Sequence, residues 1–214
     1  MKKALLAGLC FILVSLMLVE GTFALPDLNK VFADLTQWLG AEAGMPGRGG
    51  AGTAVHVALV SDNEPQSLYP GGAVSRGFGV KNEGTGDVYF RLVYAVQYDE
   101  ASWPKLTVSF NAGAGYTEHD WKDILIGTTP YKMKVFTYKD ELPKGAESPE
   151  VRISIAMDTT ITNEEIARYR SDFLQTQVLA IGAGDFASIT IPGNQTRAEA
   201  ALELALPLNE LNPF

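Results

Sequence analysis

From Val88 to Tyr98 the even positions read Val88, Phe90, Leu92, Tyr94, Val96 and Tyr98, a two-residue period that predicts a strand with one buried face. Val74, Phe78 and Val80 supply a matching face just before it. The intervening Asn82-Glu83-Gly84-Thr85-Gly86 reads as a hairpin connection, and Pro70-Gly71-Gly72 as a turn opening the pair. Further strands are predicted over residues 53–60, 105–110 and 131–138. Another covers 151–157, where Val151, Ile153, Ile155 and Met157 share a face, and a last one covers 186–191. Residues 111–127 and 140–149 read as Gly- and Pro-bearing connections. Thr162 followed by Glu165 is a capping-box signature. Ile166, Tyr169, Phe173, Leu174, Val178 and Ile181 continue from it as a helical stripe, and Gly182 closes it. Residues 196–206 are helical by composition, although Leu202, Leu204 and Leu206 also alternate as a strand would. The economical architecture is mainly β, an antiparallel two-sheet sandwich with one inserted helix.

The N-terminus has a different pattern. Lys2 and Lys3 precede an apolar run ending near Val19, and Gly21-Thr22-Phe23-Ala24 places small residues where a signal peptidase reads them, predicting cleavage between Ala24 and Leu25. Its length of about 16 residues falls short of the roughly 20 that span a bilayer, so contact with a membrane is expected only through the uncleaved leader. Next, Leu28, Val31, Phe32, Leu35, Trp38 and Leu39 form a short amphipathic helix stopped by Gly40, and 40–52 is a Gly-rich linker. The expected organisation is a signal peptide at 1–24, a helix and linker at 25–52, a sandwich domain at 53–206 and a tail at 207–214.

Charge and residue usage then narrow the chemistry. The 214-residue chain carries a formal charge of -8, and loss of Lys2, Lys3 and Glu20 with the leader makes it more negative still. That argues against nucleic acid as a partner. The single cysteine, Cys10, lies in the leader, so the mature chain has neither a disulfide nor a cysteine nucleophile. His56 and His119 are the only histidines and form no zinc-protease motif. Glu118, His119 and Asp120 are a local trio able to approach an ion, and Asp99-Glu100 and Asp120/Asp123 are carboxylates close in sequence. None completes a catalytic or calcium constellation, and no serine sits in a Gly-x-Ser-x-Gly turn. No catalytic, cofactor-binding or metal residue is assigned. Trp103, Tyr116 and Trp121 fall around loops and are the candidate interaction surface, with core packing as the alternative use.

The leader ending Gly21-Thr22-Phe23-Ala24, with Tyr69-Pro70-Gly71-Gly72, Val80-Lys81-Asn82-Glu83-Gly84 and Val88-Tyr89-Phe90-Arg91, resembles the TasA and camelysin family, whose leaders are processed by a SipW-type signal peptidase. Gly72 stands where that family usually has an acidic residue. The resemblance implies a jelly-roll-like sandwich secreted by a Gram-positive-type bacterium. It also implies self-assembly into extracellular fibres of a biofilm matrix or cell surface, alone or with matrix proteins, through an N-terminal segment added to a neighbour's sheet edge. Residues 27–39, read as helix, depart from a donor strand. A secreted binding module for a glycan or protein ligand is the alternative expectation, and a camelysin-like metalloprotease is the third.

Overall fold

A computed structural model describes residues 54–61, 69–169 and 173–214, and the statements that follow concern these residues. The leader, the cleavage pair Ala24 and Leu25, the 27–39 helix and the Gly-rich linker lie outside them.

Nine antiparallel strands form two sheets. Strands β1 (Val57–Ser61), β2 (Ala73–Asn82), β8 (Val151–Met157) and β4 (Leu106–Asn111) make the first sheet in the order β1-β2-β8-β4. The second contains β7 (Thr129–Tyr138), β3 (Val88–Gln97) and β9 (Leu174–Gly182). The short strands β5 (Tyr116–Glu118) and β6 (Lys122–Ile126) both pair with β7 on its far side. The mainly β, two-sheet sandwich expected from the alternation is the observed fold. Phe90, Leu92, Tyr94 and Val96 of β3 meet Phe78, Val80, Val151, Ile153 and Ile155 between the sheets. Tyr94 stands at the centre. Its ring packs edge-on against Phe78, Phe110 and Phe136 with centroids 5.6, 5.2 and 5.8 Å away, and its hydroxyl donates to Val151 O at 2.8 Å.

Strand β3 is buried on both faces. The odd side, Tyr89, Arg91, Val93 and Ala95, is covered by helix α2 (Arg197–Ala205) and by the segment after it, which packs Leu208, Leu211 and Phe214 against Val93 and Ala95. The 207–214 tail is therefore part of a third layer. Lys122 Nζ fastens it by donating to the carbonyls of Leu208, Asn209 and Leu211. A strand buried on both faces reads as a nearly continuous apolar run, and VYFRLVYAV does.

Four expectations are corrected. The 82–86 loop is not a hairpin turn, because β2 and β3 belong to different sheets and the loop carries the chain from one to the other. Asn82 makes this corner. Its fully buried side chain donates to Gly86 O and Leu142 O, both at 2.9 Å, and accepts from Gly84 N at 3.0 Å. Gly84 is required there because a Cβ would lie 2.5 Å from Ala54 O, where residues 54–56 hydrogen-bond across the loop.

The helix expected over 163–181 lasts one turn. The Thr162/Glu165 capping box forms around α1 (Asn163–Ile166), but Leu174–Gly182 is strand β9, paired along its length with β3. The stripe fits both periods in part, since its Leu174 and Val178 also share a strand face, the one that packs on the core. The nine-residue edge of β3 offered hydrogen bonds that a surface helix could not replace. Residues 186–191 are not a strand. A 3-10 turn, Ala183–Phe186, leads into irregular chain that packs Phe186 and Ile189 on α2. The connection at 111–127 contains β5 and β6. The ambiguous 196–206 stretch is helix, closed at its start by a Thr196/Glu199 capping box.

Candidate functional site

In β7, Lys132 and Lys134 have the same parity as Phe136, which points between the sheets, so two cations occupy inward positions of a core strand. Lys134 is 6% exposed. Buried lysines occur almost only when paired, and both are. Lys134 Nζ lies 2.7 Å from Glu118 Oε1, and Lys132 Nζ lies 2.7 Å from Asp123 Oδ1. Aromatic rings roof the same two ammonium groups. Lys132 Nζ stands 4.6 Å from the Tyr98 centroid and 5.9 Å from that of Trp103, and Lys134 Nζ stands 5.5 Å from that of Trp121.

The local sequence sets each ring in place. Asp99 Oδ1 accepts from the Ser102 N–H at 3.1 Å and from its hydroxyl at 2.8 Å, and Asp99 O accepts from the Trp103 N–H at 2.8 Å. These bonds wind the 3-10 turn Trp103–Lys105 that presents Trp103. The Ser102 hydroxyl, more than burial counteracts, holds the Asp99 carboxyl below the ordinary carboxylate range. Trp121 stands just before β6 and closes on Trp103, with centroids 6.0 Å apart and planes at 90°, and on Phe110 at 5.7 Å. Tyr98 meets Trp103 at 5.5 Å. Trp121 is 38% exposed and Trp103 half-buried, so the cluster forms both the edge of the core and a piece of surface.

Of the three aromatics expected to form a surface, Trp103 and Trp121 come together and Tyr116 does not. Tyr116 is buried among Phe90 and Tyr138. Its hydroxyl donates to Pro149 O at 2.6 Å and lies 2.9 Å from Ser148 Oγ, and burial pushes its pKa up to about 12. Core packing is its use. Tyr98, Lys132 and Lys134 were not among the candidates, yet they complete the cluster. The signal for the two lysines was the conflict within Tyr131–Tyr138, where they share parity with Phe136 and Tyr138.

A second polar assembly lies under α2. Arg91, 1% exposed, donates from Nε to Thr137 Oγ1 at 3.2 Å, from Nη2 to Glu203 Oε2 at 3.0 Å, and from Nη1 to the Leu206 carbonyl at the end of α2. The His119 Nε2 atom is 2.8 Å from the same Thr137 hydroxyl. Burial first, and then the nearby Arg91 charge, hold the His119 pKa below its usual value, so the imidazole is neutral at neutral pH. Burial raises the pKa of Glu199, but hydrogen bonds from the Thr117 hydroxyl and from Thr196 outweigh it and hold the carboxyl below its usual range. These groups, with Asn194, Gln195 and Leu208, line a cleft of about 330 Å3. Its charged groups are spent on one another and on the helix end, so the network clamps α2 to the sheet.

The Glu118, His119 and Asp120 trio is dispersed. Glu118 goes to Lys134, His119 to Thr137, and Asp120 to solvent. Asp99 and Asp123 are likewise engaged separately, with Ser102 and with Lys132. Among the described residues, no group of three His, Cys, Asp or Glu side chains could hold a metal ion, and no helix is long and apolar enough to cross a membrane.

No family model matches the sequence, and no curated protein does. The solved structures similar to the chain include three at low identity. One is AvmM, which catalyzes macrocyclization in alchivemycin A biosynthesis (13% identity, 64% of this chain, 92% of that one, TM-score 0.37). The others are two forms of the carbohydrate-binding module CBM3b from the cellulosomal cellobiohydrolase 9A of Clostridium thermocellum. A point mutant gives 18% identity, 64% and 99% coverage and a TM-score of 0.38, and the second form gives 16%, 60%, 92% and 0.35. At these TM-scores the similarities carry no argument about function.

Proposed function

We propose that this protein is an exported β-sandwich binding module that holds a glycan at the Trp103–Trp121 face. The observation that carries the reading is the aromatic roof over Lys132 and Lys134, at the place where a core strand departs from apolar inward positions. A pure packing solution would place aliphatic residues there. Indole rings stack on the C–H faces of sugars, and the paired Lys and Asp or Glu groups beside them offer donors and acceptors for hydroxyls. Export rests on the leader pattern at 1–24. The test is affinity electrophoresis and calorimetry of residues 25–214 with a glycan panel, comparing the native sequence with Trp121→Ala and Trp103→Ala. Binding that Trp121→Ala weakens at least tenfold in a folded protein supports the reading. No binding to any glycan, or binding indifferent to both substitutions, defeats it.

Fibre assembly is the second reading, and one observation favours it. Strand β9, LQTQVLAIG, lies at the end of its sheet and carries no charge and no proline over nine residues. Sheet edges are normally guarded by such residues. Residues 25–52 would be the segment exchanged between subunits. Electron microscopy of the leaderless protein with and without residues 25–52 separates the readings: monomers from both forms, with or without seeds, end the fibre proposal.

A further inference from the structure

Resting on the glycan-binding reading above, we infer that the ligand is a single, neutral, dissolved glycan chain, gripped one sugar at a time, rather than a crystalline polysaccharide surface or a polyanion. The first observation is the angle between the two indoles. A crystalline polysaccharide presents a flat array of sugar rings, and a protein can match it only with aromatic rings lying in one plane. Trp103 and Trp121 stand at 90° with centroids 6.0 Å apart, and Tyr98 is tilted 56° from Trp103. No two rings of the trio make a common platform. With the two indoles at right angles, a sugar stacked on Trp121 and one stacked on Trp103 cannot lie in one plane, which a free chain can accommodate by rotating about its glycosidic bonds and a lattice cannot.

The second observation is charge. Both ammonium groups at the site are already neutralised, Lys132 by Asp123 and Lys134 by Glu118, each at 2.7 Å. Asp123 is 80% exposed and Glu118 52%, whereas their lysine partners are largely covered, so the carboxylates face an approaching ligand. With a chain charge of -8 behind them, they repel uronate, sulfate or phosphate groups. The same carboxylates are good acceptors for sugar hydroxyls.

The test uses residues 25–214 and three probes in parallel. The first is a set of neutral hexasaccharides (cellohexaose, laminarihexaose and mannohexaose) followed by calorimetry. The second is microcrystalline cellulose in a pull-down, and the third is polygalacturonate in affinity gels. The expected result is binding to at least one soluble neutral hexasaccharide, a tenfold or greater loss with Trp121→Ala, and no retention by cellulose or polygalacturonate. Trp121→Phe, which keeps a ring, is expected to recover part of the affinity. Asp123→Asn is expected to weaken hexasaccharide binding several-fold while folding is unchanged. Retention on cellulose or polygalacturonate that Trp121→Ala abolishes would overturn this inference and leave the glycan-binding reading standing. Failure of all three probes to bind would overturn this inference, and failure of the whole glycan panel above would overturn both.

Discussion

Replacing Asn82 by Ala tests the corner on which the two sheets are joined. Three hydrogen bonds vanish, but their costs differ. The Leu142 carbonyl also accepts from the Val88 N–H at 3.1 Å and so keeps a partner. The Gly86 carbonyl is only half-buried, and water can replace the lost donor at small cost. The Gly84 N–H is buried and left unsatisfied, which costs about 1–3 kcal/mol, and the other two losses add about 1 kcal/mol. A destabilisation of about 3 kcal/mol is expected, read from urea unfolding followed by tryptophan fluorescence, with a lower midpoint and an unchanged slope. Asn82→Asp supplies the internal control. Its carboxylate keeps the acceptor for Gly84 but sets a buried negative charge against two carbonyl oxygens, so its folded-state pKa is raised. The charge part of the penalty is then present at neutral pH and is lost as pH falls below the unfolded aspartate value of about 4, leaving the loss of one donor, since a carboxylic acid has one O–H where the amide has two N–H groups. A cost below about 1 kcal/mol for Asn82→Ala, or an Asn82→Asp variant as stable as the native protein at pH 7, would show that the corner does not depend on these three bonds.

Other consequences can be measured in the same way. Thr176 Oγ1, on the inward side of β9, is the one buried side-chain polar atom among the described residues without a hydrogen-bond partner. Thr176→Val should therefore raise stability by about 1 kcal/mol, and a lower urea midpoint would contradict the assignment. His119 has a depressed pKa and faces Arg91, Lys134, Glu199 and Glu203. Its neutral form contributes fully above the unfolded histidine value of about 6.5, and that contribution is lost as pH falls from there toward the folded pKa. His119→Gln should flatten the stability profile in that window, and an unchanged profile would assign the pH dependence elsewhere. Arg91→Met leaves the Leu206 carbonyl and the Thr137 hydroxyl without their donor, while half-exposed Glu203 can hydrate. About 2–3 kcal/mol should be lost, together with hydrogen-exchange protection in α2. Lys122→Ala should raise exchange within 207–214 and leave β3 amides protected, and uniform loosening would show that the tail is not separately held.

The β class, the central strand and the start of α1 are legible in local patterns. Alternation at Val88–Tyr98 and Val151–Met157 and the Thr162–Glu165 box are local patterns, written within a few residues of the backbone they shape. The packed fold alone settles how β2 and β3 are related, because a Gly- and Asn-bearing loop serves a sheet-crossing corner as readily as a hairpin. Asn82 shows which it is by reaching Leu142, sixty residues away. It also decided the fate of 174–182, where apolar spacing fitted two periods and the open edge of β3 settled the matter through hydrogen bonds with a distant partner. The candidate site divides along the same line. Trp103 and Trp121 were visible as loop aromatics, whereas Tyr116 looked equivalent to them until strand parity turned it into the core. Lys132 and Lys134 became part of the site only when folding brought rings from three separate segments over their ammonium groups. Local periodicity sets which way a side chain points, but what it meets there depends on contacts between segments far apart in the chain.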